Sequence, residues 1–481
     1  MDRRVLAASR IATLVGDFDR DPAYKGLAEG LRVLITDGRV PVGVRLPSER
    51  ELTEALGVSR TTVARAYAEL RDGGFLVSRQ GSGSVASLPV ERGLRGDHLL
   101  PPSDLPVGRI DLTCAAPAPG PGILGAYQRA VAELPHYLAG SGYYPTGLPG
   151  LREAVADRYA DRGVPTSPDQ IMIVPGAMAG IAVVTRALVR RGARALVESP
   201  TYPNAIAALR HSGARLVSSD IGREDPQIDA LLDVVAQVGP AVAFLIPDFH
   251  NPTGHLMSEA SRERVADALA AAGTHPLIDE SMVDLPLDRQ EMPAPFAAYS
   301  PASVTVGSLS KPYWGGLRIG WVRAPAPMMD ALFRARLSLD LGTPLLEQLV
   351  GIDLIRTGRG LLEHRRDHLR VSRDAGIAAL AAHLPEWKVR KPAGGLSLWC
   401  ELPEAGAHSS DLVPYAAGRD VAIVPGPAFA PEGGLDRFLR LPCTAPPHVL
   451  EDAVARIATA WRDAPPSKGA AARRRTPTLV A

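Results

Sequence analysis

The chain has 481 residues with 53 basic and 52 acidic side chains, and the resulting net charge of +1 excludes a polybasic protein held to nucleic acid by bulk charge alone. At roughly 150 residues per domain the length corresponds to about three domains, or one small and one large. The balance of 46% apolar to 22% charged residues is that of a folded globular chain, and with aromatics at only 5% the core must be built from Ala, Val and Leu.

Residues 1–19 form an N-terminal extension, and 20–87 read as a small helical module. Leu27, Leu31, Leu34 and Ile35 share one helical face, and that helix stops near Asp37-Gly38. Ser48 and Glu51 have the spacing of a capping box, so a second helix starts there and ends at Gly57. Ser59 caps a third helix, whose apolar stripe is Val63, Ala66, Tyr67 and Leu70. Two helices joined by a tight glycine turn predict a helix-turn-helix. The third helix begins Ser59-Arg60-Thr61-Thr62. Hydroxyls and free N–H groups at a helix start suit DNA phosphates, and an arginine there can fork onto guanine. Phe75-Leu76-Val77 and Val85-Ala86-Ser87 flank Gln80-Gly81-Ser82-Gly83-Ser84, which predicts a hairpin, or wing. A helical interaction module without DNA contacts has the same periodicity.

Residues 88–109 carry Pro89, Pro101, Pro102 and Pro106 with little periodicity, as a linker does. From Ile110 to about Asp463 short β-branched runs alternate with Ala/Leu-rich helical stretches. That alternation predicts an α/β domain with a mostly parallel sheet covered by helices. The stretch 464–481, with Lys468 and Arg473-Arg474-Arg475, is expected to be a disordered tail. Cys114, Cys400 and Cys443 have neither the spacing of a metal site nor that of a disulfide framework. No apolar run approaches the ~20 residues of a membrane helix, and Met1–Phe18 lacks the apolar stretch of a signal peptide. A cytoplasmic location without membrane association is expected.

The chemistry clusters in the large region. Lys311 follows the apolar run ending Val306-Gly307-Ser308-Leu309-Ser310, and Arg318 stands seven positions on. A lysine beside phosphate-binding groups is what pyridoxal 5'-phosphate requires: its amine forms an aldimine with the cofactor, and Ser308, Ser310 and Arg318 can neutralise the phosphate. Asp279 ends the apolar run His275-Pro276-Leu277-Ile278, where α/β sheets place ligands. It can hold a pyridine nitrogen protonated or simply cap a helix. Asn251, in Phe249-His250-Asn251-Pro252-Thr253-Gly254, can hydrogen-bond a phenolic oxygen. Tyr202, in Glu198-Ser199-Pro200-Thr201-Tyr202-Pro203, can stack on a ring. Gly176, Ala177 and Met178 open a helix after a strand, and their N–H groups can cradle phosphate.

Two resemblances follow. The strings Leu46-Pro47-Ser48-Glu49-Arg50-Glu51-Leu52, Leu56-Gly57-Val58-Ser59-Arg60-Thr61-Thr62-Val63 and Gly81-Ser82-Gly83 resemble the GntR family of winged helix-turn-helix regulators. That resemblance implies contacts to double-stranded DNA from Arg50, Ser59, Arg60, Thr61, Thr62 and the wing Gly81. The ordered motifs from Gly176 to Arg318 resemble the class I aminotransferases of pyridoxal phosphate fold type I, over roughly 110–463. By that likeness a small subdomain starts near 345. Tyr143 (Tyr144 is the runner-up) would reach the phosphate of a neighbouring subunit, and Arg440 would clamp an α-carboxylate, unless it is a surface arginine on an edge strand. The chain departs from that family at Met178, where Gln or a hydroxyl residue is usual, and at Ser281 and Met282, where a tyrosine is usual. The second departure leaves Asn251 alone at the phenolic oxygen and puts efficient transamination in doubt.

The whole chain thus resembles the MocR family of bacterial transcription regulators. The resemblance implies a head-to-tail homodimer that reads promoter half-sites and senses pyridoxal phosphate, or an amino acid or amine effector, through Lys311. A working aminotransferase with a vestigial DNA-binding domain is the alternative, and a regulator using the cofactor only as a structural group is a third reading.

Overall fold

Apolar spacing and local caps set the helices of the N-terminal part. The computed structural model describes residues 6–36, 39–40, 44–79, 83–87, 109–221, 228–404 and 407–465. They fall into two compact units, the first formed by the described residues up to 87 together with Pro119–Arg129, the second by 109–118 and the residues from Ala130 onward.

The first unit contains helices α1 (Ala8–Val15), α2 (Ala23–Thr36), α3 (Glu49–Leu56) and α4 (Arg60–Asp72), then strands β1 (Leu76–Arg79) and β2 (Gly83–Ala86). The capping box is formed: Ser48 Oγ accepts from Glu51 N, and the Glu51 carboxylate accepts from Ser48 N at 2.8 Å. Gly57 ends α3 with φ 63°, a left-handed value that glycine adopts without a Cβ penalty. Ser59 caps α4 by accepting from Thr62 N at 3.1 Å. The predicted stripes of α2 and α4 are buried with Leu52 in one core, and Ile11 of α1, from the segment read as an extension, joins it. Burying one such Leu or Ile contributes about 1.5–3 kcal/mol. Tyr67 donates its hydroxyl to Pro47 O at 2.8 Å, which ties α4 to the turn before α3. β1 and β2 pair antiparallel from Leu76↔Ala86 to Arg79↔Gly83, and Arg45 bridges to Val85. The hairpin tip with Gly81, the linker segment 88–108 and the tail from 466 lie outside the described residues.

The second unit opens with β3 (Ile110–Asp111). Its large sheet is made from β4 (Ile171–Val174), β5 (Arg194–Ser199), β6 (Arg215–Asp220), β7 (Val242–Leu245), β8 (His275–Asp279), β9 (Val304–Ser308) and β10 (Gly320–Arg323), in the order β4-β10-β9-β8-β7-β5-β6. Only β10 runs against its neighbours. Alternate residues serve opposite faces: Val197, Val242 and Phe244 pack with Ile181 and Val184, whereas Leu196, Ala243 and Leu245 pack with Val265 and Leu269. Burial on both faces is why these strands read as continuous apolar runs.

A smaller sheet follows from β11 (Lys388–Val389), β12 (Ser397–Glu401), β13 (Val421–Ala422), β14 (Val424–Pro425) and β15 (Phe438–Pro442). The antiparallel order is β11-β12-β15-β14, and β13 pairs instead, in parallel, with β3. Leu398, Leu439 and Leu441 pack there with Leu380, Leu450, Val454 and Ile457 of the helices Arg359–His383 and Pro447–Asp463. Among the described residues no helix is long and apolar enough to cross a membrane.

Candidate functional site

The carboxyl ends of the parallel strands bring the candidate residues together, as open α/β sheets do. Asp279 is the last residue of β8, Lys311 follows β9, Gly176 follows β4 and Tyr202 follows β5. Lys311 Nζ donates to Ala115 O at 3.3 Å. Burial pushes its ammonium below the ordinary value, the charge of Cys114 opposes this, and Arg440 adds to it. Burial likewise raises Asp279, against the hydrogen bond from Ser281 N at 2.8 Å and the nearby charge of Lys311. The lysine is therefore biased toward the neutral, nucleophilic amine.

The candidate phosphate end lies at Gly176. It is the N-cap of the helix Ala177–Leu188, with φ 91° and no side-chain cap; its own N–H donates to Val174 O at 2.7 Å, and the N–H groups of Ala177 and Met178 stand at the helix start, where an anion binds. Arg318, itself at φ 50°, donates to Pro175 O at 2.8 Å, and a Cβ at Gly176 would come within 2.7 Å of its guanidinium. The left-handed φ favours glycine at this position. Ser308 Oγ accepts from Ser310 N at 3.0 Å, and Ser310 Oγ is buried without a hydrogen-bond partner. Asn251 Oδ1 is also buried and unpartnered, in a turn closed by Gly254 N donating to His250 O at 2.6 Å. Tyr202 accepts from Asn204 at 2.9 Å, and burial pushes its phenol up to about 12.

Arg440 sits on β15 between β12 and β14, with no exposed surface, so it is not an edge-strand surface arginine. Its guanidinium donates to Thr113 O and lies 5.1 Å above the Phe429 ring. Its Nε and Nη1 are buried without partners. Burial draws it down to about 10. A buried guanidinium with idle donors is suited to a carboxylate received in bidentate fashion.

Tyr143 stands apart from this cluster: it is 64% exposed and its N–H donates to Ser141 Oγ. Tyr144 packs edge-on to Tyr137. Met178 is half-buried against the apolar core. Ser281 carries an unpartnered buried hydroxyl, and Met282 packs with Ala115 and Phe249. The sequence reading missed the segment Thr113–Ala118, whose carbonyls meet Lys311 and Arg440, and the buried Arg365, which donates to Ala118 O. Neither has a local signal: a carbonyl is common to every residue, and arginines are common on helices.

At the other candidate site, Ser59, Arg60 and Thr61 are exposed at the start of α4, and Thr62 is half-buried. Arg50 is exposed on α3 with its Nε 3.7 Å from Glu54. Arg65 lies 4.2 Å over the Tyr24 ring, a stacked position rather than a free arm.

Residues 138–457 match the family "Aminotransferase class I and II", and residues 23–85 match "Bacterial regulatory proteins, gntR family". The chain belongs to the aminotransferase class I and II family. With its GntR-type N-terminal unit it is a DNA-binding regulator of the MocR type, fused to an aminotransferase-like domain. It is 32% identical to a 2-aminoadipate transaminase of Thermus thermophilus, over 62% of this chain and 76% of that one. It is 29% identical to a probable rhizopine catabolism regulatory protein, MocR, of Rhizobium meliloti, over 78% and 80%. Among solved structures, the α-aminoadipate aminotransferase LysN of Thermus thermophilus, complexed with N-(5'-phosphopyridoxyl)-L-leucine, superposes with a TM-score of 0.67 at 29% identity, covering 74% of this chain and 92% of that one.

Pyridoxal phosphate is the cofactor of this MocR-type chain. The residues fit it: an amine biased to neutrality, an open glycine cradle beside Arg318, and unpartnered buried atoms on Ser310 and Asn251 all converge on one end of the sheet.

Proposed function

We propose that the aminotransferase-like domain is a sensor, responding to pyridoxal phosphate or to an amino acid or amine held beside it, and that this response sets the affinity of the winged helix for promoter DNA. When bound, the cofactor supplies an aldehyde that condenses with primary amines. Lys311 holds that aldehyde, Asp279 balances the ring nitrogen, and Asn251 bonds the phenolic oxygen. Tyr202 covers the ring. Gly176, Ala177, Met178, Ser308, Ser310 and Arg318 hold the phosphate, and Arg440 receives the effector's carboxylate. Arg50, Ser59, Arg60, Thr61, Thr62 and Gly81 contact DNA. The observation that carries the reading is Arg440: a guanidinium with two idle donors is kept near Lys311 in a chain that also exposes a capped helix of DNA-reading type.

The test is a gel shift with the intergenic DNA upstream of the gene, with and without pyridoxal phosphate and a panel of L-amino acids. Affinity that responds to neither ligand would remove the sensor. Borohydride treatment of the loaded protein is expected to leave the cofactor on the Lys311 peptide, and Lys311→Ala to leave none.

Homodimerisation belongs to the same proposal. Leu138, Leu339 and Leu341 are 68%, 48% and 52% exposed, and Gly342 lies against the backbone of Tyr144; we assign these leucines to the partner-covered face. A head-to-tail partner would cover that face and bring Tyr143 to the neighbouring phosphate. We place the protein in the cytoplasm, as its family of DNA-binding regulators implies. The identity to a 2-aminoadipate transaminase favours a second reading, a working aminotransferase. Steady multiple turnover with amino and keto acids, without promoter affinity, would support it.

A further inference from the structure

Three buried nitrogen donors of the second unit, two guanidinium groups and one amine, point at one short stretch of backbone. Arg440 donates to Thr113 O, Lys311 to Ala115 O at 3.3 Å, and Arg365 to Ala118 O at 2.5 Å. The stretch is anchored ahead of them by β3, where Ile110 N donates to Asp420 O and Leu112 N to Ala422 O at 2.7 and 2.8 Å. Asp111 then braces the next turn by accepting from both N and Oγ1 of Thr113. In chain order this stretch follows the linker from the DNA-reading unit and precedes Pro119–Arg129, which groups with that unit.

The three donors differ in what else they can hold. Under the function proposed above, Lys311 and Arg440 are the two groups a ligand would claim. Arg365 is not. It is 6% exposed on the helix Arg359–His383, and among the described residues all its side-chain hydrogen bonds go to backbone carbonyls: Ala118, Pro312 and Tyr313. Pro312 and Tyr313 directly follow Lys311, so Arg365 joins the lysine's loop to the far end of the stretch. A carbonyl accepting from a buried cation is a stand-in for an anionic ligand: it satisfies part of the cation's donor set at lower strength than a carboxylate does. Ligand and backbone therefore compete for the same N–H groups.

We propose that residues 113–118 form a tethered strap whose carbonyls occupy Arg440 and Lys311 until ligand displaces them, and that Arg365 is the positioning residue that converts this exchange into movement of the chain leading to the DNA reader. The inference rests on the sensor reading. Its own content is the exchange of partners at Thr113 and Ala115, with β3 as the fixed point and Ala118, tied through Arg365 to the loop of Lys311, as the end that moves.

The strap carries its own reporter. Cys400 and Cys443 are almost fully buried, whereas Cys114 is partly exposed. The full chain is compared in two states, cofactor-free, where Lys311 and Arg440 both hold strap carbonyls, and loaded with N-(5'-phosphopyridoxyl)-L-leucine, whose carboxylate claims Arg440. Alkylation of Cys114 by N-ethylmaleimide, followed by mass spectrometry, is expected to be about fivefold faster with the adduct. A ligand that merely shields an unmoved strap would leave the rate equal or slower, and that result overturns the inference. In parallel, the adduct is expected to change wild-type affinity for the upstream DNA by about fivefold or more, the usual scale of coupling between sites. In Arg365→Met the cofactor-free affinity is retained and the response falls below about twofold, with Arg365→Lys restoring part of it. An Arg365→Met protein that responds in full overturns the inference alone, and a wild type whose DNA affinity ignores the adduct overturns the sensor reading with it. If Arg365→Met does not fold, the Cys114 rates decide.

Discussion

A buried lysine that is kept from its charge has a consequence for stability before any ligand arrives. Burial holds the folded pKa of Lys311 below its ordinary value, so the native state binds fewer protons there than the unfolded chain does. Stability of the cofactor-free protein is therefore depressed at neutral pH and recovers as pH rises toward the usual lysine range near ~10.4. Lys311→Met is expected to melt above the wild type at neutral pH, with the gap closing in alkali, as followed by thermal denaturation across pH. Asp279 works with the opposite sign. Its raised pKa makes the native state the better proton binder, so stability is lost as pH climbs from the ordinary aspartate range through the raised value. Asp279→Asn is expected to remove that loss and, because the acid no longer balances the ring, to weaken retention of pyridoxal phosphate on dialysis.

Among the elements, α4 answers most directly to substitution. Ser59 accepts from Thr62 N, so Ser59→Ala is expected to cost about 1 kcal/mol of stability in urea titrations of the full chain. Arg60→Ala is expected to cost about 1–3 kcal/mol of DNA affinity and to relax base preference. Arg50→Ala, by removing a positive charge from the proposed DNA face, is expected to weaken binding to all sequences alike and to flatten the salt dependence. Equal binding of specific DNA by Arg60→Ala would move the groove contact elsewhere. These elements were legible because their determinants are local. The Ser48–Glu51 box, the Gly57 turn and the apolar stripe of α4 each span a few residues, and Asp279 and Lys311 each close or follow an apolar strand. The strap was not legible. Its bonds join residues 196, 247 and 327 positions apart, and their acceptors are backbone carbonyls that no residue type announces. Arg440 could be named from its motif, but its burial follows from β15 lying between two strands, and pairing order is not written in spacing.

At the scale of the molecule, the proposed homodimer rests on the exposed leucines Leu138, Leu339 and Leu341. Leu339→Asp with Leu341→Asp is expected to give a monomer in sedimentation velocity and to weaken binding to paired half-sites far more than to a single half-site, because linkage raises the effective concentration of the second reader. An unchanged sedimentation coefficient would move the interface to another face. Chain order adds a final consequence. β3 cannot pair until β13 exists, and Ile110 meets Val421 near the other end of the sequence. The first helices, by contrast, close their core within some seventy residues of one another. During synthesis the reader is complete while most of the sensor is still on the ribosome. On the proposed sensor reading, a nascent chain of this kind is a DNA-binding protein before it is a regulated one, so slow or interrupted translation would favour occupancy that no metabolite controls.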